Sequence, residues 1–239
     1  MNREKHLILG FFCFVSAIAV VLYAADEKER QQRPDPARWR QDAEMFAQWD
    51  RKNSFAANAV LFVGSSSIRY WPTVEGFQGL PVINRGFGGS YMADSVYYAE
   101  PFILKYNPKV VVVYAGDNDC AGGLSPESIA ADFQALAEKI HAALPRTEIL
   151  CLSIKLSNSR KEYWPRMQQT NQALQAYAQT KEYITYVDVD AVLRMPDGTN
   201  DTTLYESDQL HLSEKGYAVW NRLLSPILHE RYARAMRNE

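Results

Sequence analysis

Short apolar runs and amphipathic stretches alternate along most of this chain. Residues 60–63, 82–83, 110–114, 148–154 and 183–189 are each dominated by β-branched or large apolar side chains, the pattern of strands buried on both faces. Stretches with helical spacing separate the later runs. Ser125-Pro126-Glu127 opens one of them, with a serine cap, a proline in the first turn and a carboxylate at the positive end of the helix dipole, and that helix can run to Leu144. A second helix is predicted over 166–180. A third starts at Ser213 and reaches Arg234, although Pro226 should kink or interrupt it. Ahead of the first strand, Trp39, Ala43, Phe46, Ala47 and Trp49 recur near helical spacing over 37–50.

Strands of four or five residues alternating with helices pair in parallel through crossovers. The predicted fold class is therefore α/β: a three-layer α/β/α sandwich around a central, mainly parallel, five-stranded sheet of the flavodoxin-like kind. The sequence contains no internal repeat and no low-complexity segment.

The first thirty residues follow a different pattern. Arg3 and Lys5 precede an almost uninterrupted apolar run over 7–25, and a charged stretch begins at Asp26. At about 1.5 Å per residue the run spans ~28 Å, close to the ~30 Å hydrocarbon thickness of a bilayer. Leu22 or Tyr23 stands where a cleavage site needs a small residue, so the pattern favours an uncleaved signal anchor over a cleaved signal peptide. Positive charge ahead of the run keeps the N-terminus in the cytoplasm. The folded part is then expected on the periplasmic or extracellular side, anchored at the membrane, or secreted if the segment is cleaved. The expected organisation is 1–25 targeting segment, 26–36 linker with proline stops, and 37–239 one domain.

Composition narrows the function classes. With 239 residues, 47% of them hydrophobic and 23% charged, the chain can bury one sizeable core. A net charge of −2 with no lysine or arginine run speaks against nucleic acid as a partner. Cys13 lies inside the apolar run without a lipobox, and Cys120 and Cys151 read as small hydrophobes in or beside strands.

In open α/β sheets ligands bind outside the carboxyl ends of the strands, where this fold would put the unusual residues: "GSSSI" at 64–68, "NRGFGGS" at 84–90, "AGDNDC" at 115–120 and "SDQLHLS" at 207–213. Each has a plain structural reading. The serines can cap a helix, and the glycines can form a tight turn; their spacing is not the dinucleotide fingerprint. "DNDCAG" opens like a calcium loop but lacks the later ligands. Histidine discriminates best, because general-base work near neutral pH most often uses it. His6 lies in the targeting segment, and His141 and His229 lie in helical stretches. His211 lies in a loop three residues after Asp208, where a carboxylate can hold one ring nitrogen and leave the other to deprotonate a serine.

These stretches together resemble the SGNH (GDSL-type) hydrolases from about Val60 to the last helix. Gly64-Ser65-Ser66 matches the family's first block, and Asn84 with Gly89 the second. Gly116-Asp117-Asn118-Asp119 matches the third, and Asp208-Gln209-Leu210-His211 the last. The layout is also similar to that of the catalytic subunits of intracellular platelet-activating-factor acetylhydrolase. The resemblance makes 37–239 an SGNH hydrolase domain and implies Ser66 as nucleophile, His211 as general base and Asp208 as the orienting carboxylate. The Ser66 N–H, the Gly89 N–H and the Asn118 side chain would form the oxyanion hole.

Two departures stand out. Ser65 replaces the usual aspartate, so Ser65 and Ser67 remain rival nucleophiles. Asp117 brings a negative charge next to Asn118, which would oppose catalysis unless it points away, is paired, for example with Arg85, or selects a polar or cationic substrate.

The implied activity is that of a serine esterase without metal or organic cofactor, acting on a small-molecule ester. A small acyl group such as acetyl on a sugar or lipid fits the lack of a lid-length apolar insertion. Trp71, Phe87, Tyr91 and Trp164 are candidates for the substrate side or for the core. The alternatives are an acyltransferase using the same residues and a non-catalytic carbohydrate- or lipid-binding module. The sequence specifies neither the natural ester nor the oligomeric state.

Overall fold

A 3-10 turn (Pro36–Trp39) leads into α1 (Arg40–Lys52), and the first strand, β1 (Val60–Gly64), follows. The computed structural model describes residues 32–237, and the fold occupies the unit that begins at Pro36. After β1 come the short helices α2 (Ser66–Arg69) and α3 (Thr73–Gly76), then β2 (Val82–Gly86), α4 (Met92–Tyr97) and α5 (Ala99–Phe102). The second half continues with β3 (Val110–Tyr114), α6 (Asp117–Ala121), α7 (Pro126–Ala143) and β4 (Glu148–Leu152). It closes with α8 (Trp164–Ala178), β5 (Ile184–Val187) and α9 (Glu214–Arg237).

All strand pairs are parallel, in the order β2-β1-β3-β4-β5. Alternate residues of the central strands feed two separate cores. Leu61, Val63, Val111, Val113, Ile149 and Cys151 enter one; Val60, Phe62, Val110, Val112, Leu150 and Leu152 enter the other. Helices cover both faces, which makes the three-layer sandwich and explains why β1, β3 and β4 are buried throughout. The order reverses between β1 and β3, opening a crevice at their carboxyl ends.

The helices follow the sequence with two adjustments. The Ser125 hydroxyl accepts the Ser128 N–H at 3.2 Å and caps α7, while α8 begins at Trp164 with a proline in its first turn. Pro226 does not interrupt α9, contrary to expectation. Trp220 and Leu224 before it and Leu228 after it are all fully buried against the sheet, and this shared apolar face offsets the one backbone hydrogen bond that proline removes. Cys120 and Cys151 are free and buried. The apolar run 7–25, His6 and Cys13 lie outside the described residues. Among the described residues no helix is long and apolar enough to cross a membrane.

Candidate active site

Gly64 closes β1 with φ +135°, and a Cβ there would stand 1.8 Å from the Tyr114 carbonyl oxygen. Only glycine lets the backbone pass β3 so closely, and the Ser65 N–H then donates to that carbonyl at 3.0 Å. The turn gives the serines three environments. Ser65 and Ser67 are fully buried, whereas Ser66, the first residue of α2, is half-buried. Asn84 on β2 clamps the turn: its Nδ2 donates to the carbonyls of Ile68 (2.7 Å) and Trp71 (3.2 Å), and its Oδ1 accepts the Gly86 N–H at 2.9 Å.

His211 arrives from the loop between β5 and α9. The Glu206 N–H donates to its carbonyl at 2.8 Å, and a single bridge pairs Tyr205 with Leu212. Gln209, at φ +51°, folds Asp208 back onto the ring. Asp208 Oδ2 lies 2.6 Å from His211 Nδ1, and Oδ1 accepts the N–H groups of Leu210 and His211 at 2.9 and 3.0 Å. On the opposite side of the ring, Nε2 lies 3.0 Å from Ser66 Oγ.

Partial burial acts to raise the Asp208 pKa, but the two backbone N–H groups and then the His211 ring outweigh it and hold the carboxyl at about 2. An ionised carboxylate at Nδ1 calls for the ring proton there, leaving the Nε2 lone pair for the serine hydroxyl. Tyr70 stands edge-on to the imidazole, 5.1 Å between ring centres. A cavity of about 360 Å³ opens beside it, between Tyr70, Pro72, Glu206 and Tyr217.

Donors gather on the other side of the serine. A Cβ on Gly88 would lie 3.8 Å from the Ser66 Cβ, so the loop after β2 runs past the hydroxyl. Neither the Ser66 N–H nor the Gly89 N–H has an acceptor among the described residues. Gly89 sits at φ +78°, and a Cβ there would come 3.6 Å from the Trp39 ring. Asn118, in α6, donates from Nδ2 to the Ser90 carbonyl at 3.0 Å; an amide carries two N–H donors, so one is left over. The arrangement offers a hydroxyl next to a base, with N–H groups nearby for developing negative charge.

A family model of GDSL-like lipases and acylhydrolases matches residues 53–219. The chain belongs to that family. It is an enzyme of the GDSL-type acylhydrolases. No curated protein matches it in sequence. Among solved structures it is similar to a protein of Streptococcus pneumonia described under the name platelet activating factor, at 24% identity and TM-score 0.71, over 89% of this chain and 99% of that one. A GDSL-like lipase from Bacteroides thetaiotaomicron is 19% identical, with TM-score 0.68 over 79% of this chain and 97% of that one. An acetylxylan esterase from Geobacillus stearothermophilus is 16% identical, with TM-score 0.59 over 74% and 95%. At such identities the likeness is one of fold.

Beneath the serine turn this acylhydrolase carries a buried polar cluster that sequence reasoning missed. Lys155, 1% exposed, donates from Nζ to Ser67 Oγ at 3.0 Å, to the Tyr114 hydroxyl at 3.1 Å and to Asp117 Oδ2 at 3.5 Å. Arg160 also approaches Asp117 Oδ2, at 3.6 Å. Burial works to raise the Asp117 pKa, yet these two cations bring it below its ordinary value, and burial lowers that of Lys155. Asp117 is thus paired, but not with Arg85, whose guanidinium goes to Asp50 at 2.7 Å and to the Tyr106 hydroxyl at 2.7 Å. Arg85 is on β2, and its side chain is spent on tying α1 to the helical segment ahead of β3. The available signal was a lysine inside the apolar stretch "CLSIKL", where a solvated side chain is out of place.

The aromatic candidates divide. Trp71 and Phe87 are core residues, in opposite layers. Tyr91 packs its hydroxyl where a Cβ on Gly122 would be, 1.9 Å away. The Trp164 indole donates to the Ser157 carbonyl at 2.8 Å, and its ring is flanked by Lys161 and Arg194. Trp39, which the sequence marked only as a helix-face residue, also reaches the Gly89 loop, its ring 3.6 Å from where a Gly89 Cβ would stand; its Nε1 donates to Asp94 at 3.0 Å.

Proposed function

We propose that this acylhydrolase is a serine esterase that removes a small acyl group, acetyl first among them, from a hydroxyl of a sugar or lipid. The observation that carries the reading is the 3.0 Å contact between the half-buried Ser66 Oγ and His211 Nε2, with Asp208 2.6 Å behind the ring. In this reading Ser66 attacks the acyl carbon while its proton passes to His211. Asp208 stabilises the imidazolium. The oxyanion is met by the N–H groups of Ser66 and Gly89 and by the spare N–H of Asn118; one such donor is worth about 3 kcal/mol in other enzymes. Collapse of the intermediate expels the alcohol, which takes the proton from His211. Water, deprotonated by the same ring, then releases the acid and restores Ser66.

Support for acetyl comes from the fold's likeness to an acetylxylan esterase. The apolar segment 7–25 would carry the enzyme out of the cytoplasm, as a retained anchor or a cleaved leader.

Hydrolysis of p-nitrophenyl acetate, butyrate and octanoate by the wild type, Ser66→Ala and His211→Ala tests the reading. A fluorophosphonate adduct mapped by mass spectrometry accompanies the rates. The expected result is an adduct on Ser66, loss of turnover in both variants and a rate that falls with acyl length. An adduct on Ser65 or Ser67, or full activity in Ser66→Ala, overturns the nucleophile. Preference for octanoate overturns the small acyl group, and acyl transfer to an added alcohol at the expense of acid would make the enzyme a transferase.

A further inference from the structure

Arg160 lies 42 residues beyond Asn118, in the 3-10 segment Asn158–Tyr163 between β4 and α8. Its Nη2 donates to Asn118 Oδ1 at 2.7 Å, and its Nη1 faces Asp117 Oδ2 at 3.6 Å. Asp117 also accepts the Asn118 backbone N–H at 3.0 Å, and on its far side it meets Lys155. One buried carboxylate thus holds two cations. Lys155 supports the serine turn through Ser67, and Arg160 grips the amide of Asn118.

The two ends of an asparagine amide are nearly identical in shape and opposite in hydrogen bonding, so orientation depends on the partners. Guanidinium is a donor only. Placed against Asn118, it donates to the oxygen end and repels the nitrogen end. The nitrogen must then face the Ser90 carbonyl, 3.0 Å away, and the cleft beside it. A flipped amide would set N–H against guanidinium and one carbonyl against another, and would offer an acceptor where an oxyanion needs a donor.

We propose that Arg160 is a positioning residue that orients the Asn118 amide for the oxyanion and is itself held in place by Asp117. The inference rests on the reading of Asn118 as an oxyanion donor. It gives Asp117 a purpose: its charge neutralises the cations that hold the floor and the wall of the site, and so does not oppose the reaction.

The test is steady-state kinetics on p-nitrophenyl acetate with Arg160→Met, Arg160→Lys, Asn118→Ala and the double variant Arg160→Met/Asn118→Ala, with a thermal melt of each. Removing an oxyanion donor outright costs ~10²- to 10³-fold in kcat. Arg160→Met should cost about 10- to 100-fold in kcat, since it frees the amide without deleting it, and should leave KM unchanged. Arg160→Lys, still a donor, should recover part of the loss. In the Asn118→Ala background, Arg160→Met should change kcat less than about twofold, because residues that act through one another are not additive.

An equal loss in both backgrounds, a loss confined to KM, or wild-type kcat in Arg160→Met while Asn118→Ala is impaired overturns the positioning role and leaves the proposed function standing. Wild-type kcat in Asn118→Ala overturns the oxyanion reading and this proposal with it. Should Arg160→Met fail to fold, Arg160→Gln serves in its place: its amide is donor and acceptor at once and no longer selects the Asn118 oxygen, and the kcat loss should again vanish in Asn118→Ala.

Discussion

Ser66 Oγ and His211 Nε2, 145 residues apart in the chain, stand 3.0 Å apart in the fold. Ser66 is placed by the end of β1, and His211 by a loop anchored ahead of α9. The two meet because both structures end at the same edge of the sheet.

Asp208 holds the other side of that ring, so Asp208→Asn should leave the contact in place and invert the ring's proton preference. The loss of kcat should lie between ~10²- and ~10⁴-fold, the upper end being the cost of the same exchange in a serine protease, with KM nearly unchanged. Stopped-flow or steady-state hydrolysis of p-nitrophenyl acetate checks it, and a variant retaining more than a tenth of the wild-type kcat would show that Asp208 is not needed to orient the ring.

Gly64 and Gly198 both have positive φ, yet only one is crowded. A Cβ at Gly64 meets the Tyr114 carbonyl at 1.8 Å, whereas at Gly198 it meets nothing within 4 Å. Gly198→Ala should therefore cost only the left-handed backbone strain, ~1–2 kcal/mol. Gly64→Ala should cost well above ~3 kcal/mol or prevent folding, since it adds a backbone clash to the strain. Urea unfolding of the two variants compares them.

Asp119 sits fully buried in α6, with its Oδ1 accepting the Met92 N–H at 2.9 Å and its Oδ2 without a partner among the described residues. Burial raises its carboxyl from 3.8 to about 7. Because the folded pKa exceeds the unfolded one, the folded state binds the extra proton between these values. Stability from this group is complete below pH ~4 and falls as pH rises towards 7. Asp119→Asn should flatten that part of the profile, as read from chemical denaturation at pH 4.5, 6 and 7.5; an unchanged slope would show that Asp119 does not govern it.

Lys155 and Asp117 form a buried pair in which each charge depends on the other. Lys155→Met should destabilise by about 3 kcal/mol, the low end of the cost of stranding a buried charge, because Arg160 still faces Asp117. In an Asp117→Asn background the same change should cost at least ~1 kcal/mol less, because the stranded carboxylate is gone. Four denaturation curves give the coupling, and strict additivity would mean that the pair carries no energetic linkage.

Much of the architecture was legible along the chain. β1, β3 and β4 are covered on both faces, so their sequences are continuous apolar runs, and the Ser125-Pro126 cap announced α7. β2 was half visible: it is an edge strand, and Asn84 and Arg85 continue it with side chains that serve as clamp and ion-pair partner. Pro226 misled because local propensity carries no knowledge of the sheet against which Trp220, Leu224 and Leu228 are packed.

The order of elements, their parallel pairing and the four loops that crowd one sheet edge were determined by the sequence alone, through periodicity, caps and glycines, which act over a few residues. The tertiary structure decided which of three adjacent hydroxyls meets the imidazole, that Asp117 is neutralised by Lys155 and Arg160 instead of Arg85, and that Trp39 reaches Gly89. These pairings join residues from 38 to 145 positions apart. They depend on the path of the backbone through space, so no short-range pattern in the sequence records them.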